Sequence, residues 1–134
     1  MLDAAFVLQI HEEILREEPG LAGFAGPGFS GLESALARID NWAAYADLTD
    51  VFGTAAMYAV AIARGHIFND ANKRTALVTA LTYLKLQEIN VERCARLEDD
   101  MVNVAEGMLG VDAFANILAE IALEQMANRG LSLP

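Results

Sequence analysis

Apolar residues recur at helical spacing along nearly the whole chain. Over residues 3–17, Phe6, Ile10 and Ile14 fall on one stripe opposite Glu12, Glu13 and Arg16, which predicts an amphipathic helix. Pro19, Gly20, Gly23, Gly26, Pro27 and Gly28 break that pattern and predict a loop over 18–29. Typical connections run to roughly 4–6 residues, and longer ones are functional or mobile. Ser30 with Glu33 reads as a capping box that opens a second helix running to about Tyr45.

Asp47 or Thr49 is placed to cap a third helix with Phe52, Ala56, Ala59, Val60 and Ala63 as its buried stripe, and Gly65 stands where a C-terminal glycine cap belongs. A fourth helix, starting near Asp70 or Ala71, carries Leu77, Leu81 and Leu84. Ala76, Ala80 and Val78 widen its apolar face, which predicts a central position. An extended stretch at Ile89 to Val91, a helix near 98–108 and a last helix over 113–128, capped by Asp112 and ended by Gly130, complete the reading. The expected fold is therefore all-α: one domain spanning 1–134, built from about six helices.

With 134 residues, 54% of them hydrophobic, the chain is long enough to close one core. A net charge of −10 disfavours nucleic acid as a partner, because phosphate backbones call for Lys and Arg. The lone Cys94 excludes an internal disulfide and reads as a half-buried apolar residue. Acidic residues come too early at the N-terminus for a signal peptide, and no apolar run approaches the roughly 18 residues of a membrane span. The expectation is a cytoplasmic protein without a membrane partner.

The stretch Arg64-Gly65-His66-Ile67-Phe68-Asn69-Asp70-Ala71-Asn72-Lys73-Arg74 departs from the amphipathic pattern. It puts Lys73 and Arg74 in the first turn of a helix, the end where the dipole and the open N–H groups attract anions. Two cations there oppose the dipole unless an anion joins them, and a locally broken rule points to function. Lys73 offers a point charge and Arg74 a planar fork for phosphates. Asp70 suits Mg²⁺, which takes one or two carboxylates plus phosphate oxygens. His66 is placed as general base toward an incoming hydroxyl. Taken singly, His66 is an ordinary loop histidine, Asp70 a helix N-cap, Phe68 a packing anchor, and Lys73 and Arg74 a solvated face. Their conjunction within nine residues is what points to phosphoryl or nucleotidyl transfer.

The run HIFNDANKR resembles the signature of the Fic/Doc superfamily, and Ala71 with Lys73 resembles its death-on-curing (Doc) branch. Leu48 to Phe52, Ala61 to Gly65 and Thr75 to Leu77 share the likeness, which covers most of residues 30–90. The resemblance implies a Fic-type helical bundle with the motif between two central helices, supported by Gly65 and Phe68. It further implies catalytic roles for His66, Asp70 and Arg74, with His66 as base. Asp70 would bind Mg²⁺, and Asn72, Lys73 and Arg74 would bind the phosphates of ATP. Doc toxins are kinases that move the terminal phosphate of ATP to a threonine of elongation factor Tu and stop translation. Three departures from AMP-transferring relatives favour that activity: Ile67 replaces a Pro, Lys73 a Gly, and Leu77 a second Arg. Val78 stands where Doc relatives tend to carry a polar residue.

The inhibitory helix of many Fic proteins, Ser/Thr-x-x-x-Glu-Gly/Asn, is not found, since Glu106-Gly107 has Val102 at its hydroxyl position. Family logic then implies inhibition in trans by a Phd-like antitoxin, with Trp42, Tyr45 and Phe29 as groove candidates and His11 as a structural or exposed residue. The competing readings are a Fic-type protein adenylyltransferase, a catalytically silent antitoxin-binding module, and a metal hydrolase for which His66 and Asp70 are too few ligands.

Overall fold

A computed structural model describes residues 2–26, 28–45 and 50–130. Six helices run through them: α1 (Ala4–Glu17), α2 (Gly28–Tyr45), α3 (Val51–Arg64), α4 (Asn72–Leu86), α5 (Ala95–Ala105) and α6 (Val111–Asn128). No strand occurs among the described residues, and the one isolated bridge pairs Phe24 with Phe68. The all-α expectation holds.

The small residues of α3 decide the architecture. Gly53, Ala55, Ala56, Ala59 and Ala63 are all buried, so neighbouring backbones approach closely from several sides. Accordingly α3 packs against α2, α4, α5 and α6, while α4 packs against α1, α3 and α5. Leu32, Ile62, Leu77, Leu84, Leu97, Phe114 and Leu118 fill the spaces among them at 0–1% exposure. Ile10, Ile14 and Ala71, with Leu15 and Val78 against them, form a second small cluster where α1 meets the start of α4. The motif connection is thus backed by apolar packing.

Several boundaries differ from the sequence expectation, each for a local reason. The buried face of α1 is Ala4, Val7, Ile10, His11 and Ile14, and Phe6 is 37% exposed, so the stripe is rotated toward His11. Asp3 caps this helix by accepting from the Phe6 N–H at 2.8 Å. The second helix begins at Gly28, which puts Ser30 inside it and removes the capping box. Asp47 and Thr49 lie outside the described residues; the cap of α3 is Asp50, whose Oδ1 accepts from the Phe52 N–H at 3.1 Å. Phe52 and Val60 are only half-buried. The fifth helix starts three residues earlier than expected. Gly110 replaces Asp112 as the N-cap of α6, with Gly130 following the helix at φ +73°.

Gly65 caps α3 in a right-handed conformation, φ −76°. Its lack of a side chain matters for space, because a Cβ would stand 2.7 Å from the Ala61 carbonyl oxygen. The left-handed turn falls on His66 instead, at φ +47°, and another on Ala71, at φ +63°. Cys94 is half-buried and free, as expected. No helix among the described residues is long and apolar enough to cross a membrane.

Candidate active site

Residues 65–71 link the two central helices, and both corners of the link are non-glycine residues in left-handed conformation. Such positions cost about 1–3 kcal/mol each and persist where surrounding structure imposes them. Here the imposing structure is visible. Phe68 is 2% exposed and its ring stacks on His11, centroids 3.8 Å apart at 8°, and on Phe24 at 5.4 Å. Asn72 closes the link on itself: Oδ1 accepts from the Phe68 N–H at 3.0 Å and Nδ2 donates to the Phe68 carbonyl at 2.8 Å. Both ends of its amide are thereby engaged, so Asn72 shapes the connection from the first turn of α4.

The long loop between α1 and α2 lies along this connection as a strap. Ala25 N–H donates to Ile67 O at 2.8 Å, Asn69 N–H to Gly23 O at 3.1 Å, and Asn69 Nδ2 to Ala22 O at 3.1 Å. The strap also reaches Asp70, whose Oδ2 accepts from the Leu21 N–H at 3.3 Å. Gly20 lies so close that an added methyl would collide with the same oxygen. Asp70 Oδ1 accepts from the Ala71 N–H at 2.8 Å. Those two backbone donors, Ala71 first, hold the Asp70 carboxyl below its ordinary range, with Arg74 and His11 adding to the effect. His11, 1% exposed, joins its Nε2 to the Asp70 carbonyl at 3.0 Å. A carbonyl only accepts, so Nε2 carries the proton.

Asp70 was expected to double as the N-cap of α4, but the cap position belongs to Ala71, which offers no side-chain bond. The first bond into the helix is Thr75 N–H to Ala71 O at 2.9 Å. By helix geometry, the amides of Asn72, Lys73 and Arg74 then have no intrahelical acceptor. An ionised carboxylate, a helix N-terminus and two cations therefore adjoin one another. Asp70 keeps lone pairs for a cation on both oxygens, and a single carboxylate is the kind of donor that Mg²⁺ takes alongside phosphate oxygens. His66 is exposed at the near corner, and its ring has no hydrogen-bond partner among the described residues.

The expected phosphate residues part company. Lys73 is exposed without a partner among the described residues, whereas Arg74 ion-pairs with Glu18 at the end of α1. The Arg74 hydrogen bond holds the Glu18 carboxyl below its ordinary range. Lys73 and Arg74 line a cavity of about 170 Å³ whose floor includes Leu77 and Met101. Leu77, at the place of the missing second Arg, is 1% exposed and belongs to the core.

Arg64 turns out to be structural: Nε donates to Val104 O at 2.9 Å and Nη2 to Leu109 O at 2.6 Å, tying α3 to the α5–α6 turn. Trp42 is 45% exposed and Phe29 37%; the side chain of Tyr45 lies outside the described residues. Val78 is half-buried against the small cluster under Ala71, which removes it from the list of polar contacts. The sequence marks the long loop as a feature but does not reveal its contacts with the connection, the bond from His11 or the pairing of Glu18 with Arg74. A signal for the last was available: Glu17 and Glu18 end α1, where the helix dipole disfavours acids, just as it disfavours Lys73 and Arg74 at the start of α4.

The two inner helices are thus joined through a histidine corner, a carboxylate held by backbone donors and a cationic helix N-terminus. The Fic/DOC family profile matches residues 1–84, and the chain belongs to that family. Among curated proteins, the "Protein kinase doc" of Escherichia phage P1 is 38% identical over 115 residues, which cover 86% of this chain and 90% of the phage protein. The family match reaches α1 and the strap, beyond the 30–90 stretch that carried the sequence resemblance.

Proposed function

We propose that this chain is a Doc-type protein kinase that transfers the terminal phosphate of ATP to a protein hydroxyl. One observation carries the reading: His66 stands exposed at a left-handed corner of a connection that also fixes an ionised Asp70 beside the open N-terminus of α4. The named kinase from phage P1 supports phosphoryl over adenylyl transfer. The buried Leu77 and the bulk of Lys73 weigh the same way.

In this mechanism His66 takes the proton of the target hydroxyl as its oxygen attacks the γ-phosphorus. The new O–P bond forms while the bond to the β-phosphate oxygen breaks, and ADP leaves. Lys73, Arg74 and the free amides of α4 hold the phosphates. Asn72 contributes by keeping Phe68, and with it the connection, in place. Mg²⁺, held by Asp70, would supply charge neutralisation on the phosphates. By resemblance the acceptor is a threonine of elongation factor Tu, the outcome is inhibited translation in the cytoplasm, and a Phd-like antitoxin inhibits in trans.

Intact-mass spectrometry of elongation factor Tu incubated with the protein, ATP and Mg²⁺ tests the reading. The expected result is a phosphoryl-sized gain that disappears with His66→Ala. An adenylyl-sized gain assigns the chain to the AMP-transferring branch. No gain with an intact ATP complex points to another acceptor, and no gain without ATP binding to a silent module.

A further inference from the structure

The cavity beside Arg74 holds a third cation that the motif does not include. Arg93, from the connector between α4 and α5, lines it together with Lys73 and Arg74. Three positive side chains from two separate stretches of chain thus line one space, in a protein whose net charge is −10. Two carboxylates balance them: Glu18 on Arg74, and Glu98, whose Oε1 accepts from Arg93 Nη2 at 2.6 Å and Nε at 3.1 Å. Both pairs are solvent-exposed, with side-chain exposures of 32% and 50% for Arg74 and Glu18 and 40% and 50% for Arg93 and Glu98. Exposed pairs of this kind are weak and exchange readily for a stronger anion. Arg93 also acts electrostatically on Glu18, in the same direction as Arg74. Both carboxylates line the same cavity as the three cations.

We propose that Arg93 is the second arginine of the nucleotide site, turning from Glu98 to the polyphosphate of ATP while that polyphosphate displaces Glu18 from Arg74. This deepens the kinase reading and rests on it for the identity of the ligand. The loss of the motif's second Arg at Leu77 is then made good from outside the motif. The replacement guanidinium comes over the floor formed by Leu77 and Met101. A planar fork suits a triphosphate better than a point charge would.

The test is ATP affinity, by calorimetry with Mg²⁺, of wild type, Arg93→Gln, Glu18→Gln and the control Arg96→Gln. Arg96 is a somewhat more exposed arginine, at 50% against 40% for Arg93, that pairs with Glu120 at 3.5 Å and does not line the cavity. The expected result is a Kd for ATP weakened on the order of tenfold in Arg93→Gln, as for the loss of one charge-assisted bond, and about twofold or less in Arg96→Gln. Glu18→Gln should bind ATP more tightly, and AMP should show no dependence on Arg93. Melting temperatures of the variants check that the fold is kept, and Arg93→Lys should recover part of the affinity. Equal affinities in Arg93→Gln and Arg96→Gln overturn the proposal while leaving the kinase reading intact. Arg93-dependent binding of inorganic tripolyphosphate, without phosphoryl transfer to any protein, supports the anion site and sinks the kinase reading. A wild type that binds neither ATP nor tripolyphosphate overturns both.

Discussion

The two ends of the site are held by different physics. At the base and metal end, His66 to Ala71 are fixed by a buried aromatic stack, an amide that spans Phe68, and backbone bonds to the strap. At the proposed phosphate end, Arg74 and Arg93 are each tied, among the described residues, only to an exposed carboxylate. Uncharged buried contacts resist salt and persist in the absence of ligand, whereas exposed ion pairs are screened and replaceable. The difference matches the tasks. A proton acceptor and a metal carboxylate need positions set in advance, because misplacement by even an ångström is costly for catalysis. Phosphate holders must release one anion and take another at each turnover. On the proposed kinase reading, the site is preorganised where bonds would change and exchangeable where the nucleotide would enter and leave.

The strongest way to break this comparison is Phe68→Ala. The ring is 2% exposed and supports the whole connection, so its removal should cost about 3–5 kcal/mol of stability in urea unfolding. Phosphoryl transfer should fall on the order of a hundredfold, because both left-handed corners lose what imposes them. Affinity for ATP should fall much less, since Lys73, Arg74 and Arg93 stand on other supports. If affinity and transfer drop in proportion, the two ends are one unit and the division is wrong. Phe68→Leu provides the same comparison in a milder form.

His11→Phe is the finer cut. It retains an aromatic face against Phe68 and deletes only the donor to the Asp70 carbonyl. A buried carbonyl losing its partner costs about 1–3 kcal/mol. With Asp70 less well held, the Mg²⁺ concentration for half-maximal transfer should rise several-fold while ATP affinity measured without metal stays put. An unchanged Mg²⁺ dependence would mean that the strap and the Ala71 amide position Asp70 without help from α1.

How much of this was legible beforehand follows the same division. Helix number and type were readable because period-3.6 apolar stripes are local features. The motif was readable because its chemistry sits in consecutive residues. Boundaries slipped where two caps competed: Asp50 rather than its neighbours, Gly110 rather than Asp112. The expectation for Gly65 erred in mechanism, since the left-handed residue is the histidine beside it. Asn72 was read as a phosphate ligand, and nothing in its spacing reveals that its amide turns back onto Phe68. Contacts between residues 21–25 and 67–70 were illegible for a plainer reason. They join segments some 42–49 positions apart, and on the strap every partner is a backbone group, which carries no side-chain signature.

The smallest expected effect tests whether rigidity at the base end comes from the connection or from α4 behind it. Thr75 and Thr79 lie one turn apart on α4 at 0% exposure, and neither hydroxyl has a hydrogen-bond partner among the described residues. Thr82 differs: its hydroxyl donates to the Val78 carbonyl at 2.7 Å. A buried hydroxyl without a partner opposes folding, and valine has nearly the same shape without that burden. Thr79→Val should therefore stabilise the protein by about 1 kcal/mol, which for a chain of this size raises the melting temperature by roughly 3–5 °C. Thr79 is two turns from Asn72 and touches neither the strap nor the cavity beside Arg74, so transfer rate and ATP affinity should be unchanged. A stabilised variant with normal turnover would place the origin of the fixed geometry in the Phe68 stack and the strap. A stabilised variant with slower turnover would instead show that α4 must yield during the reaction, and the rigid end would have to be redrawn to exclude it.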